Sequence, residues 1–412
     1  MTDGAFFGTY LVLADVNLVL PWLLSQLTTT KWIIGLPPIL TMAGSALPQI
    51  VVAHFVRRFR YRQKVVVVST ALRLALMSLM LPFLFFPLGG TAITLVGILV
   101  PYCLSCLVLA FSALPWQDMT GKTIPARRLS SFFGARGFLG GLLGLGASQF
   151  IGYYLGAVQT VPLPRFGVVL GLAVLAMCVT MVMNGLIREP PSVVPDDHPS
   201  LGDNIAEAIR AIYRDVTFRY YLLARALLTL SAFASPFYIV EGKTRYGLLA
   251  DSIGTFTFAG IAAGIATSLI WSLLGDRLGM AQLTRVVGVF SATPALLALA
   301  MPQLAATQLG ATGGWLLVFV VLGAANAGQL NVSQRGIIEL AQPERRALMI
   351  GAGSTFCGLV SLVGPLVGLL ADAAGAPAAF ALAATLTLTV TAFAGLLRRR
   401  SRTDPSPPAP LP

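Results

Sequence analysis

Asp15, Asn17, Arg73, Arg225, Asn326 and Gln329 all stand inside long apolar runs. A carboxylate such as Asp15 can trade a proton where burial and a neighbouring cation hold its two forms in balance. A guanidinium at 73 or 225 can grip a carboxylate or a phosphate with paired N–H donors. Amides at 17, 326 and 329 can orient a polar solute or hydrogen-bond a neighbouring helix. Two plainer roles compete with these. Asp15 and Arg73 can form a fixed ion pair that only holds helices together, and Arg225 can stretch its stem to the polar interface. Other chemistries find no support. The chain has no G-x-S-x-G, H-E-x-x-H or phosphate-loop pattern, so neither an enzyme nor an ATP-driven pump is indicated. His54 and His198 are its only histidines, and Cys103, Cys106, Cys178 and Cys357 fall in apolar sequence without metal or disulfide spacing. No metal and no cofactor is expected.

The elements that must position these residues follow from composition. Of 412 residues, 56% are hydrophobic and only 11% are charged, against about 25% charged in soluble domains. Twelve apolar stretches near bilayer length are legible: 5–27, 33–56, 65–88, 91–114, 131–157 and 163–187, then 218–240, 252–274, 282–303, 311–332, 347–371 and 376–397. We refer to them as spans 1 to 12. They predict an all-α membrane fold of twelve transmembrane helices in two pseudo-symmetric six-helix bundles. Its parts would be a first half (1–187), a cytoplasmic linker with an amphipathic helix (188–217), a second half (218–397) and a disordered tail (398–412). Span 1 lacks a basic leader and a small-residue cleavage site, so it reads as a span rather than a removed signal. Asp15 falls about 15 Å into span 1 at 1.5 Å per residue, which is mid-bilayer. A charge there costs several kcal/mol and needs a partner or water.

The net charge is +12, and its distribution speaks of topology rather than nucleic acid. Arg57, Arg58, Arg60, Arg62, Lys64, Lys122, Arg127, Arg128, Arg335, Arg345, Arg346 and the tail arginines all fall on one side of the spans. The other side holds Lys31, Arg165, Lys243 and Arg245. The basic side is cytoplasmic and carries both termini. Short loops point to a bacterial inner membrane.

The halves repeat. Pro125-Ala-Arg127-Arg128 follows span 4, and Pro343-Glu-Arg345-Arg346 follows span 10. Arg57 and Gly44 align with Arg277 and Gly264 at a shift of 220. The run Gly275-Asp276-Arg277-Leu278-Gly279 after span 8 resembles the G-x-L-x-D-R-x-G loop of the major facilitator superfamily. Gly364-Pro365 through Gly368 to Asp372 is similar to the end of span 11 in many members. The first-half copy has Phe55 and Val56 where the motif would place Gly and Asp.

The resemblance implies a secondary carrier whose cavity is lined mainly by spans 1, 4, 7 and 10, which places Asp15, Arg225 and Asn326 on cavity helices. It implies a conformational latch of Gly275, Asp276, Arg277 and Gly279, together with Arg127, Arg128, Arg345 and Arg346, and the missing first-half acid makes that latch asymmetric. Expected partners are a small-molecule substrate, protons and the lipid bilayer. The expected activity is proton-coupled efflux of a small amphipathic solute. Organic-anion uptake or exchange through Arg225 and Arg73, and a non-transporting assembly factor on the same fold, are the alternatives. Pro21 and Pro236 predict bends in equivalent spans 1 and 7, and the glycines of span 5 predict close helix packing.

Overall fold

The protein is represented by a computed structural model that describes residues 2–56, 58–86, 89–124, 126–191, 202, 206, 209–210, 216–340 and 346–401. Among these residues every regular element is a helix. The first half comprises α1 (Thr2–Leu13), α2 (Val19–Leu27), α3 (Lys31–Ile34), α4 (Leu36–Ala46), α5 (Gln49–Val56), α6 (Arg62–Ser78), α7 (Leu81–Phe85), α8 (Thr91–Thr123), α9 (Ala126–Leu155) and α10 (Leu163–Gly185). The second comprises α11 (Val216–Ala232), α12 (Ser235–Tyr246), α13 (Asp251–Leu278), α14 (Met280–Leu299), α15 (Met301–Ala305), α16 (Gly310–Leu340), α17 (Arg346–Ser361), α18 (Pro365–Ala374) and α19 (Ala376–Ser401). The chain is an integral membrane protein: ten helical segments are long and apolar enough to cross a bilayer. Predicted spans 1 and 2 are helical as well. They are assembled from the shorter pieces α1–α2 and α3–α5, so neither contains an uninterrupted helix of spanning length. Large apolar side chains such as Val68, Leu186 and Leu269 are exposed, as a lipid-facing surface requires. The predicted linker helix and the far end of the tail lie largely outside the described residues.

The breaks have causes written in the sequence. Proline has no N–H and fits most readily in the first turn of a helix. Pro236 is the second residue of α12, and Pro21 the third of α2. Helix α1 therefore stops at Leu13 and α11 at Ala232, before each proline. Spans 3 and 9 behave alike: Pro82 is second in α7 and Pro302 second in α15, at the 220-residue shift of the repeat. Duplicated bends at matching places are the structural counterpart of the repeated arginine pairs.

The halves meet along two seams. Spans 5 and 8 (α9 and α13) cross where a Cβ built on Gly254 would lie 2.4 Å from the Ser148 carbonyl oxygen and 2.5 Å from the Gly152 nitrogen. The contact is backbone on backbone, which only glycine permits. Spans 2 and 11 form the second seam, with Gly358 against Ala46 and Leu47 and Gly368 against Trp32. The glycines of span 5 divide their work. Gly140 packs on Gly4 and Gly8 of α1, while Gly141 faces Ile265 across the seam. Packing and a cross-half interface are thus both present on one helix. The largest fully buried rings, including Trp22, Phe166, Phe237, Trp315 and Phe380, share one core that joins both halves.

Candidate functional site

The interruption of span 1 fixes Asp15. With α1 ended, the amides of the linking turn lack helical acceptors. The Asp15 Oδ1 atom accepts the N–H of Asn17 at 2.8 Å and of Leu18 at 2.7 Å. Asp15 thus ties together the turn that leads into α2. No ion pair with Arg73 exists among the described residues, because the Arg73 guanidinium donates to the Tyr10 hydroxyl at 3.2 Å and lies over the Tyr10 ring. The fixed Asp15–Arg73 pair is therefore not the arrangement found.

Asn17, Arg225, Asn326 and Gln329 do come together. They line a cavity of about 310 Å³ between the halves, with Pro38 and Met42 of span 2. Span 1 brings Asn17 there because the bend turns residues 14–18 out of helical phase. Span 7 contributes Arg225 from the same helix face that, one and two turns earlier, packs Phe218, Tyr221 and Leu222 into a buried cluster. One guanidinium nitrogen of Arg225, Nη1, is buried with no hydrogen-bond partner among the described residues. A Cβ on Gly353 would lie 3.7 Å from it, so the glycine leaves the nitrogen clear. Gln329 donates to the Ser291 hydroxyl at 3.0 Å, while Asn326 is exposed to the cavity. Among the described residues no carboxylate lines this cavity. It presents one cation, several amides and hydroxyls, and an apolar remainder, which suits an anionic group on a partly apolar solute.

Arg73 goes elsewhere. It lines a second cavity inside the first half, together with Arg136, Trp116, Gln117, Thr180 and Asn184. In the sequence Arg136, Gln117 and Asn184 stand near span ends, where they look like ordinary interfacial polarity.

The two ends of the molecule are pinned differently. At the end away from the termini, bonds cross between halves. The Asp372 carboxylate accepts the Lys31 N–H at 2.7 Å and the Trp32 N–H at 3.0 Å, capping α3, and Lys31 Nζ donates to the Ala371 carbonyl at 2.8 Å. Lys243 Nζ donates to the Ser25 hydroxyl at 2.8 Å and stands over the Trp22 ring. Replacing Asp372 with alanine is expected to cost about 0.5–2 kcal/mol, the worth of a helix cap, read as a lower melting temperature of the purified protein. An unchanged melting temperature would deny the cap any weight.

At the other end a charge cluster ties parts of the first half to one another. Arg62 Nε pairs with Asp118 Oδ2 at 2.9 Å, and Lys122 joins the same carboxylate. Glu189 accepts the Gln63 N–H at 2.7 Å and lies 3.7 Å from Lys122. The acid missing from the first-half loop motif is thus matched by acids from span 4 and from the start of the linker. In the second half, Gly275, Asp276, Arg277 and Gly279 close α13, with Asp276 and Arg277 exposed and Gly279 at φ +71°. That left-handed turn demands glycine and lets α14 begin immediately. The positions of Arg57 and Arg345, and the side chains of Arg127, Arg128 and Arg346, lie outside the described residues.

Comparison with known proteins bears on this architecture. Residues 243–412 match the family model described as Major Facilitator Superfamily. Comparison with curated protein sequences gives no match. Several solved structures are similar over nearly the whole chain. A POT family transporter in complex with a thioalcohol-conjugated peptide is 11% identical, covers 97% of this chain and 95% of its own, and has a TM-score of 0.74. A POT family transporter in complex with 5-aminolevulinic acid is 12% identical with the same coverages and a TM-score of 0.73. A D-xylose-proton symporter is 10% identical, covers 95% and 96%, and has a TM-score of 0.70. At such identities the likeness is one of fold.

Proposed function

We propose that this chain, a non-enzymatic transporter of the major facilitator superfamily, carries a small organic anion between the two sides of a membrane by alternating access. The observation that supports this is the Arg225 guanidinium, with a buried unpartnered nitrogen, in a central cavity that no carboxylate lines. A buried N–H without a partner costs roughly 1–3 kcal/mol. A solute carboxylate entering the cavity removes that cost and gains a charge-assisted bond. The ligands named for two similar structures, a peptide and 5-aminolevulinic acid, each offer such a group. With the basic loops cytoplasmic, the end pinned by Asp372 and Lys243 faces outside, so this is an outward-closed state. We place the carrier in a bacterial inner membrane with both termini inside.

Proton-coupled efflux of an amphipathic solute is the other reading, and it rests on Asp15. The carboxylate of Asp15 is committed to the amides of residues 17 and 18 and does not line the cavity. Uptake and efflux in proteoliposomes, with and without an imposed pH gradient, separate the readings. Carboxylate-bearing solutes are expected to move and organic cations to be ignored. Movement of cations alone would sink the anion reading. Asp15→Asn keeps an acceptor for the two amides and is expected to transport at near wild-type rate. Asp15→Ala is expected to lose about 0.5–2 kcal/mol of stability, as cap removal does. If Asp15→Asn instead abolishes a pH-driven flux, Asp15 is the coupling group.

A further inference from the structure

The second cavity shares no lining residue with the central one. It lies wholly within the first half, enclosed by spans 1, 3, 4, 5 and 6, and measures about 230 Å³. That is below the roughly 300–1,000 Å³ of sites for drug-sized ligands, so it takes a single ring or a short chain.

Its walls are unusual for a bundle interior. Arg73 is 4% exposed and Asn184 is 3% exposed. The Arg73 Nε and the Asn184 Oδ1 are both buried without a hydrogen-bond partner among the described residues. Buried polar groups in folded proteins are nearly always bonded, and here one free donor and one free acceptor line the same small space. The hydroxyls nearby are already engaged. Thr70 donates to the Val66 carbonyl, Ser112 is bonded to Ser69, and Thr180 donates to the Ala176 carbonyl. Nothing in the wall relieves Arg73 or Asn184.

The charge count decides the ligand class. Two guanidiniums face the space, but Arg136 contacts Asp3 at 3.4 Å and lies over the Trp116 ring at 4.3 Å. Arg136 is also tightly housed, since a Cβ on Gly4 would fall 1.9 Å from its Cγ. One positive charge is therefore left over, on Arg73. A dianionic phosphate would bring more charge than the site offsets, whereas a monoanion balances it. Phe7, Leu109 and Met177 supply apolar wall.

We propose that this cavity binds a small monocarboxylate bearing a hydroxyl, with the carboxylate on Arg73 and the hydroxyl donating to Asn184. It is a site independent of the central cavity, and it stands whether or not Arg225 handles the transported solute.

Isothermal titration of the purified full-length carrier tests it, with 4-hydroxybenzoate, benzoate and inorganic phosphate as probes. We expect saturable binding of 4-hydroxybenzoate at a site that persists with 1:1 stoichiometry when Arg225→Gln removes the central carboxylate partner, weaker binding of benzoate there and none of phosphate. Arg73→Gln is expected to weaken 4-hydroxybenzoate about tenfold or more. Asn184→Asp has nearly the same shape but places a like charge beside the carboxylate, and is expected to weaken it as strongly. Both variants are first checked for a monodisperse elution profile and wild-type helicity, so that Asn184→Asp decides should Arg73→Gln not fold. Arg225→Gln is expected to leave this binding within twofold. Overturning results are absence of carboxylate binding to folded wild type, phosphate binding as tight as the carboxylate, or loss of binding on Arg225→Gln with both first-half variants binding normally. That last pattern would move the site to the central cavity and leave the carrier reading intact.

Discussion

Arg225→Gln is expected to reduce kcat/KM for carboxylate solutes by about 10- to 100-fold in proteoliposomes. The glutamine keeps size and polarity but removes the charge and the forked donors. A hydrogen bond between charged groups is worth about 1.5–3 kcal/mol, and each 1.4 kcal/mol is a factor of ten. The Nη1 nitrogen is already desolvated and unpartnered, so its desolvation adds no new cost when the solute's bond forms. That puts the effect toward the upper end. Arg225→Lys is expected to recover only part of it, since an ammonium is a point charge without the planar fork. Neutral solutes, if carried at all, should be indifferent to either change. Equal loss for neutral and anionic solutes would mean that Arg225 holds the fold, through Tyr221 and span 11, instead of reading the solute.

Gly254→Leu is expected to spring the outer end open. The Cβ alone would sit 2.4 Å from the Ser148 oxygen and 2.6 Å from the Gly152 Cα, and neither partner is a flexible side-chain tip that can swing aside. Overpacking of this kind costs about 1–3 kcal/mol, and the cost falls only on the state in which α9 and α13 touch. A bias of 2 kcal/mol shifts a two-state population by about 30-fold. Spin labels at Thr160 and Thr307, exposed on opposite halves at that end, should report a longer distance in the variant. Gly254→Ala should shift it less. Gly146→Ala on α9, the helix that Gly254 packs against, meets nothing within 4 Å and should leave it unchanged. A distance unmoved by Gly254→Leu, in a protein that still folds, would show that the crossing does not hold this end shut.

What the sequence makes legible, and what it hides, follows from the physics of each signal. Apolar length reports where the bilayer is, so the spans were countable. It does not report where a helix ends. Span 4 reads as finishing near 114, yet α8 runs to Thr123, and this extra length carries Asp118 to Arg62 and Lys122. Depth is also legible by counting residues, which puts Asp15 at mid-bilayer. Direction around the helix axis is not, once the helix is broken. Asp15 and Asn17 are two residues apart, but the bend sends one into the backbone and the other into the cavity. Arg73 shows a third gap. Its depth matched that of Asp15, but the choice between Asp15 and Tyr10 as partner depends on how span 1 is rotated against span 3. The repeat was legible from Arg pairs and prolines because the same turn chemistry recurs at the same offset.

The cap that Asp372 supplies to α3 gives the outer closure a solvent term. Two backbone N–H groups of one half are satisfied by a carboxylate of the other. When that end opens, these donors and the carboxylate must all be taken over by water. The open and closed states therefore differ in bound water as well as in shape, and their balance is set partly by water activity. Solutes excluded from protein surfaces favour the less hydrated form. A rise in osmolarity would thus favour the closed form of this end, tying the balance of the two forms to the osmotic condition around the membrane.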